Sequence, residues 1–326
     1  MSEEPIRIVF IGGYTRSGST LLDRLLGSAP GVRSVGELRQ VWSTGVLDDR
    51  FCGCGRPFRQ CPFWSVVIPE AFGSFDAIDA DTIRREEEEL LLARHLTGLR
   101  FPRLLSKRLG PARERFLDRR ARLFRAIASV SGCSTIVDSS KNPSYGVLLG
   151  RMPGFDLRTV HLVRDSRATS FSWTREKPDP RHPGKIDYFP IRSPRAASTW
   201  WLANGVLMER SSFLSPHRHV RVRYEDLVND PAVVLRNLAR RLEIARIPLP
   251  ADGRSFELGV HHSVGGNPMR FQQGPIIIKE DDEWRSVLNS ADRRAVTFIT
   301  WPLLLRHGYL FRRDRNASAG HHQQHG

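Results

Sequence analysis

Long apolar runs are absent from this sequence. None reaches the roughly 18 residues that a membrane-spanning helix needs. The first residues, MSEEPIRI, also lack the basic region and apolar core of a secretory leader. We therefore expect a soluble, cytoplasmic protein without stable membrane insertion. The 40% hydrophobic content predicts a buried core, either in one large α/β domain or in two ordinary ones.

Lysine is also scarce. Of the 50 basic residues only five are lysines, so the net charge of +15 rests on arginine. Such a charge is typical of proteins that bind nucleic acid, an anionic membrane surface or a polyanionic small ligand. The chain has no zinc-finger spacing, no RNP-like aromatic motif and no run of five basic residues, so we expect no nucleic-acid partner. A phosphate-rich ligand beside a solvated basic surface explains the charge more economically.

Cysteine occurs only four times. Cys52, Cys54 and Cys61 lie together in FCGCGRPFRQCPFW, whereas Cys133 stands apart. Three thiols are one ligand short of a structural zinc site, and the fourth would have to come from a distant residue such as Cys133 or His95. In a cytosolic chain we expect buried or free thiols, with zinc or a disulfide as alternatives.

The segment Ile6 to Gly27, IRIVFIGGYTRSGSTLLDRLLG, organises the rest of the chain. An apolar run stops at two glycines, and leucines then recur at helical spacing, which predicts a strand, a tight loop and a helix. Such a loop directs backbone N–H groups and the positive end of a helix dipole to one point, so phosphate is the first candidate ligand. Gly13 and Gly18 have the spacing of the nucleotide-binding pattern GxxxxGK[ST], with Thr20 on the hydroxyl position. The lysine position is Ser19, which argues against hydrolysis of ATP or GTP.

Polar residues follow two further predicted strands. Glu37 comes shortly after residues 32–35, and Lys141 comes after residues 134–138. The carboxyl edge of a parallel sheet is where α/β proteins bind ligands, so Glu37 is a candidate base and Lys141 a candidate for neutralising a transferring group. The alternatives are a charge at a helix start for Glu37 and a surface lysine for Lys141. Asp138 could imitate a magnesium carboxylate, but the missing loop lysine makes that role doubtful.

Arg164 ends another predicted strand, residues 159–163, and Ser172 lies eight positions later. Both could reach one phosphate if the chain folds back sharply at Asp165. Residues 174–194 contain five prolines and predict a long loop, which we interpret as a lid. The late segment 261–270 contains two glycines and Arg270. Its adjacent histidines have no third ligand near them in the sequence, so we expect no metal there.

The charged stretch between Asp81 and Ser129 carries leucines at helical intervals. It predicts a helical insertion over about residues 81–130, made of two or more helices that are interrupted near Phe101-Pro102 and near Gly110-Pro111. We expect its glutamates at 86–89 and its arginines at 113–125 to be solvated, and we consider the insertion a candidate wall for an acceptor. The polar, histidine-rich residues 312–326 predict a disordered tail.

Two of these segments resemble the cofactor motifs of sulfotransferases that use 3′-phosphoadenosine 5′-phosphosulfate (PAPS). The run from Thr15 to Thr20, TRSGST, is similar to the 5′-phosphosulfate loop, in which a Lys or Arg precedes Ser-Gly-Ser/Thr-Thr. The strand followed by Arg164 and Ser172 closely resembles the 3′-phosphate motif. Residues 222–231 and 261–270 show weaker likeness, so the resemblance covers the chain from Ile6 to about Arg270.

The resemblance implies a P-loop-like, three-layer α/β fold with a central parallel sheet flanked by helices, in one domain over residues 1–311. It implies transfer of a sulfonate from PAPS to a hydroxyl of a small-molecule, glycan or lipid acceptor, with 3′-phosphoadenosine 5′-phosphate (PAP) as product and no metal. A P-loop kinase-like phosphotransferase and a non-catalytic, basic polyanion-binding protein are the alternatives.

The resemblance also implies roles for individual residues. Glu37 would be the general base, with Asp138 or a histidine at 182, 261 or 262 as the next candidates, and Lys141 would assist the leaving group. Arg16 would hold the bridging and sulfonate oxygens. The implied donor-binding residues are Thr15, Arg16, Ser17, Gly18, Ser19 and Thr20 around the 5′-phosphate, and Arg164, Ser172 and Arg270 around the 3′-phosphate.

Overall fold

The computed structural model describes residues 5–92, 102–182, 185–212 and 218–310. Within these ranges, side chains are described except at 102–109, 179–182 and 185–187. The predicted tail at 312–326 lies outside the described residues. None of the described helices is long and apolar enough to cross a bilayer.

Nine strands are described: β1 Ile6–Gly12, β2 Val32–Ser34, β3 Thr135–Lys141, β4 Phe155–Val163, β5 Pro178–His182, β6 Lys185–Tyr188, β7 His219–Arg223, β8 Ser255–Leu258 and β9 Gly274–Ile277. The described α-helices are α1 Ser19–Leu26, α2 Trp64–Phe72, α3 Ala80–Leu90, α4 Pro102–Ser131, α5 Pro143–Leu149, α6 Ser166–Ser172, α7 Pro194–Ser212, α8 Tyr224–Asn229, α9 Pro231–Leu242, α10 Trp284–Val287 and α11 Ser290–Arg306. A parallel sheet takes the order β2-β3-β1-β4-β7, and β5–β6 and β8–β9 are antiparallel pairs.

Strand β1 occupies the centre of the sheet because both of its faces are apolar. Ile8 and Phe10 pack into one core with α2, α4 and α5. Val9 and Ile11 pack into a second core with α1, α8 and α9. A central parallel strand covered on both faces reads as a continuous apolar run, as β1 does. The two helical layers and the sheet confirm the predicted three-layer, P-loop-like α/β fold.

The insertion consists of α3 and α4, but two of its charged residues are not solvated as predicted. Arg120 and Glu87 are buried and form an ion pair, and Arg120 Nη1 also donates to the Leu38 carbonyl at 2.9 Å. Glu87 accepts a second hydrogen bond from the indole of Trp42 at 3.0 Å. The prediction was wrong for this pair because neutralisation within the pair, together with these hydrogen bonds, allows the charges to be buried.

Two further expectations differ from the structure. Helix α4 continues through Gly110 and Pro111, because the part of the helix that follows Pro111 is anchored in the core by Phe116 and Phe124. Residues 174–194 are not one irregular loop, since they contain the β5–β6 hairpin. Proline is compatible with the edge strands of such a hairpin.

Candidate active site

The loop between β1 and α1 has the conformation that its glycines allow. Gly13 and Gly18 have φ of 142° and 89°, and Arg16 between them has φ of 70°. A Cβ on Gly18 would lie 2.5 Å from the ring of Tyr224, so both backbone conformation and space require glycine there. Gly18 is the N-cap of α1 and brings no capping side chain. The first N–H groups of α1 are therefore available to an anion.

This loop forms the floor of a cavity of about 800 Å³ at the carboxyl edge of the sheet. Such a volume is typical of a site for a nucleotide-sized ligand. The cavity brings together all but one of the predicted site residues: Thr15, Arg16, Gly18, Ser19, Thr20, Glu37, Lys141, Arg164, Ser172 and Arg270. The exception is Ser17, which is buried and does not line the cavity.

Positive charge dominates the cavity. Among the described lining residues there are seven cations and one carboxylate, that of Glu37. Sequence reasoning missed three of the cations, Arg50, Lys177 and Lys279, because none belongs to a recognisable motif. Burial and the nearby charge of Arg16 lower the pKa of Lys177. This charge distribution favours a ligand with several negative charges.

Glu37 and Lys141 form an ion pair on one wall of the cavity. The Glu37 N–H donates to the Val264 carbonyl at 2.7 Å, and its carboxylate accepts a hydrogen bond from Gln40. Lys141 has a φ of 65°, uncommon for a residue with a side chain, where β3 bulges against Gly12 of β1. Two of the three predicted catalytic residues, Glu37 and Lys141, thus lie together, although they are about a hundred positions apart in sequence.

Arg164 is buried, and its contacts fix its orientation. Nη1 donates to the Arg16 carbonyl and Nη2 to the Asp281 carbonyl, each at 3.1 Å. The guanidinium lies 4.5 Å from the centre of the Tyr224 ring and forms an ion pair with the Asp281 carboxylate. Burial alone would raise the pKa of Asp281, but Arg164 and Arg175 lower it overall. Ser172, the last residue of α6, is buried at the same cavity.

The late segment 261–270 forms another part of the cavity wall, through residues 264–267, Met269 and Arg270. Val264 N–H donates to the Val35 carbonyl, and Asn267 N–H donates to Thr20 Oγ1 at 3.3 Å. Arg270 Nη2 donates to the Phe51 carbonyl at 3.3 Å. These bonds join the segment to β2, to the phosphate loop and to the cysteine-containing segment.

Of the alternative base candidates, Asp138, His261 and His262 do not line the cavity. Asp138 is fully buried and accepts hydrogen bonds from the backbone N–H of Ser140 and the hydroxyl of Tyr145, and burial raises the pKa of its carboxyl group. His261 is bonded to the Arg270 carbonyl at 2.8 Å, and burial lowers its pKa to about 3. The side chain of His182 is outside the described residues. Described residues of the helical insertion also contribute nothing to the cavity lining, contrary to the expected acceptor wall.

Tyr224, in the segment 222–231 that shows the weaker likeness, also lines the cavity. It lines the cavity between Gly18 and Arg164, whereas its neighbour Glu225 is buried and accepts hydrogen bonds from Asp165 N–H and Tyr309 OH. Two other aromatic residues, Trp173 and Phe189, flank the guanidinium of Arg16 at 5.2 and 4.8 Å. Cation–π contacts of this kind hold a cation in place without neutralising it.

The sheet order and the glycine-containing loop before α1 define a P-loop-like fold. The family model of the sulfotransferase family matches residues 8–248, and the chain therefore belongs to the sulfotransferase family of transferases. No significant match was found among curated proteins.

The chain is similar to two solved structures of sulfotransferase domains. The sulfotransferase domain of the olefin synthase from Synechococcus PCC 7002 shares 20% identity, with a TM-score of 0.50 and coverage of 92% of this chain and 95% of that domain. The sulfotransferase domain from the curacin biosynthetic pathway shares 17% identity, with a TM-score of 0.47 and coverage of 90% and 97%. At 20% identity, the likeness to the olefin synthase domain concerns the fold alone.

We predict that Gly18→Ala destabilises the protein more than Gly31→Ala. Both glycines have positive φ, so either alanine brings left-handed strain of about 1–2 kcal/mol. At Gly31 nothing lies within 4 Å of an added Cβ, so crowding of about 1–3 kcal/mol is expected only at Gly18. Denaturant titration measures both free energies of unfolding. Equal losses would contradict the close packing against Tyr224, and Tyr224→Ala should remove the excess.

Proposed function

We propose that this protein transfers the sulfonate group of PAPS to a hydroxyl of a small-molecule, glycan or lipid acceptor. The observation that carries the proposal is the meeting of two anion-binding segments, 15–20 and 164–172, at one strongly basic cavity. A donor with phosphate groups at both ends of a nucleoside requires two such segments. Membership of the sulfotransferase family supports this proposal.

The proposed donor site has two ends. At one end, the N–H groups at the start of α1 and the hydroxyls of Ser19 and Thr20 bind the 5′-phosphate. At the other end, Arg164, Ser172 and Arg270 bind the 3′-phosphate through charge-assisted hydrogen bonds. The cavity lining also includes the apolar residues 276–278, which suit the face of a purine ring.

Sulfonate transfer requires alignment and charge neutralisation more than covalent help from the protein. A bond forms between the acceptor oxygen and sulfur while the bond from sulfur to the 5′-phosphate oxygen breaks, and PAP leaves. Arg16 and Lys141 stabilise the charge that shifts onto the leaving phosphate oxygen. The aromatic rings of Trp173 and Phe189 hold Arg16 toward that position.

Glu37 accepts the proton of the acceptor hydroxyl in this proposal. It is the sole carboxylate among the described lining residues. Its N–H donates to the Val264 carbonyl, and Val264 N–H in turn donates to the Val35 carbonyl, so these bonds fix the backbone of Glu37. In the structure its carboxylate pairs with Lys141. When the donor binds, its phosphosulfate group is a second anion for Lys141. Lys141 then lies between the Glu37 carboxylate, which receives the proton, and the 5′-phosphate, which leaves.

A kinase-like reaction is supported less well. The position of the phosphate-binding lysine is Ser19, and Asp138, which could have held magnesium, is buried in hydrogen bonds away from the cavity. A passive polyanion-binding surface would not require a carboxylate among the cations. The ion pair of Glu37 and Lys141 on the cavity wall therefore favours a catalytic site.

We expect PAP to raise the melting temperature of the protein more than ATP with magnesium does. PAP binds only the folded state, and a concentration of roughly 100 times its Kd would add about 2.7 kcal/mol of stability. Thermal unfolding with each nucleotide, followed by calorimetric titration, makes the comparison. Stabilisation by ATP with magnesium and none by PAP would favour the kinase alternative.

We expect Arg16→Met and Arg164→Met to have opposite kinetic effects. Arg16 meets charge that grows in the transition state, so its loss should reduce kcat by about 10²–10³-fold and change PAP affinity little. Arg164 contacts a phosphate that does not react, so its loss should mainly raise the KM for PAPS. Methionine retains much of the length of either side chain. Equal effects on kcat and PAP affinity in both variants would reject this division of roles.

We expect Glu37→Gln to fold and to bind PAP normally but to lose about 10²–10⁴-fold in turnover, because glutamine cannot accept the proton of the acceptor hydroxyl. Glu257→Gln, which changes an exposed carboxylate outside the cavity, is the matched control. Sulfonate transfer is measured at saturating PAPS between about pH 6 and 9. Near-normal turnover of the Glu37 variant across that range would place the base elsewhere.

A further inference from the structure

The three clustered cysteines have a histidine beside them that the sequence did not indicate. Ligand atoms of Cys52, Cys54, Cys61 and His262 all lie within 4.8 Å of one another. The expected distant ligands do not complete the group: Cys133 bonds to Ser131 outside the cluster, and His95 is not among the described residues. The fourth residue is instead one of the two histidines for which no metal was expected.

Four distances within this cluster lie within about 0.5 Å of those expected for tetrahedral coordination. The Sγ of Cys61 lies 3.4 Å from that of Cys52 and 3.7 Å from that of Cys54. His262 Nδ1 lies 3.1 Å from Cys61 Sγ and 3.9 Å from Cys52 Sγ. Two sulfurs bound to zinc at about 2.3 Å are about 3.8 Å apart in a tetrahedron, and a sulfur and a nitrogen are about 3.6 Å apart. Disulfide bonding, at about 2.05 Å, does not describe any of these pairs.

The surroundings hold the four ligands in place. Cys52 and Cys61 are buried, and Cys54 and His262 are partly buried. Trp64 Nε1 donates to the His262 carbonyl at 2.8 Å, and the His262 ring stacks on Phe63 with 5.3 Å between ring centres. Gly53 N–H donates to the Ser263 carbonyl at 3.1 Å, which fixes the two chain segments next to each other.

We propose that Cys52, Cys54, Cys61 and His262 bind a structural zinc ion. Three sulfurs and one imidazole nitrogen form a closed set of four soft and borderline donors, which selects zinc over magnesium or calcium. With all four positions filled by protein, the ion has no open position for a substrate, so its role is structural.

The ion would connect the loop at 52–61 to the late segment 261–270. These two segments also meet through the hydrogen bond from Arg270 to the Phe51 carbonyl. Both segments contribute to the cavity wall. Cys52 and its neighbour Phe51 do so from the first segment, and residues 264–267 do so from the second. Zinc at this position therefore fixes the geometry of one side of the cavity without touching a reacting group.

The first test is the metal content of the full-length protein, purified under reducing conditions and dialysed. Elemental analysis should find close to one zinc per chain. X-ray absorption should find about three sulfur neighbours at about 2.3 Å and one nitrogen at about 2.0 Å. Zinc surrounded only by nitrogen and oxygen would indicate the histidines of the 312–326 segment and overturn the proposal. Protein that neither contains zinc nor retains added zinc after desalting would overturn it as well.

Single substitutions test which side chains bind the zinc ion. Cys54→Ser and His262→Gln should each lose the zinc, whereas Cys133→Ser, which changes the one cysteine outside the cluster, should retain it. Hydrogen exchange at residues 261–266 should rise in the first two variants and stay unchanged in the third. Equal zinc retention in all three would reject the assignment. If a cluster variant fails to fold, the absorption spectrum of the unaltered protein still decides, and neither result depends on whether the protein transfers sulfonate.

Discussion

Repulsion among seven cations around one cavity is the constraint on which much of the surrounding structure depends. Each like charge destabilises its neighbours unless something opposes it. Arg164 is opposed by Asp281 and by the face of Tyr224, and Lys141 is opposed by Glu37. Aromatic rings flank Arg16 without removing its charge. These contacts oppose the repulsion around Arg16, Lys141 and Arg164 and fix where their charges lie.

The parts of the fold that could be predicted are those encoded locally. The strand, loop and helix over Ile6 to Gly27 follow from an apolar run, two glycines and a leucine repeat, and the structure confirms them. The parallel order of the sheet came from the family resemblance, because strand pairing is not visible in any short segment. Arg164 and Ser172 were found for the same reason as the loop: each stands at a fixed distance from a recognisable strand. Their roles toward the donor remain predictions.

The remaining features depend on packing between distant segments. Nothing near Arg120 in the sequence indicates that Glu87 will neutralise it in the core, so a helical charge pattern was interpreted as a solvated face. The histidine beside the cysteines comes from a segment 201 positions after Cys61. Lys177 and Lys279 reach the cavity through a hairpin and a late loop. In each case the missing information was which loops pack together, and the local sequence does not contain it.

The central position of β1 also affects how the chain can reach its native state. Arg7 pairs with Thr135 of β3, and Ile8 pairs with Leu157 of β4. Both strands that flank β1 are therefore synthesised long after it. During synthesis β1 remains an apolar strand with two open edges until well over a hundred further residues have emerged. Non-local pairing of this kind slows folding and leaves strand edges open to aggregation. We therefore expect the nascent chain to depend on chaperones that shield its amino-terminal strand.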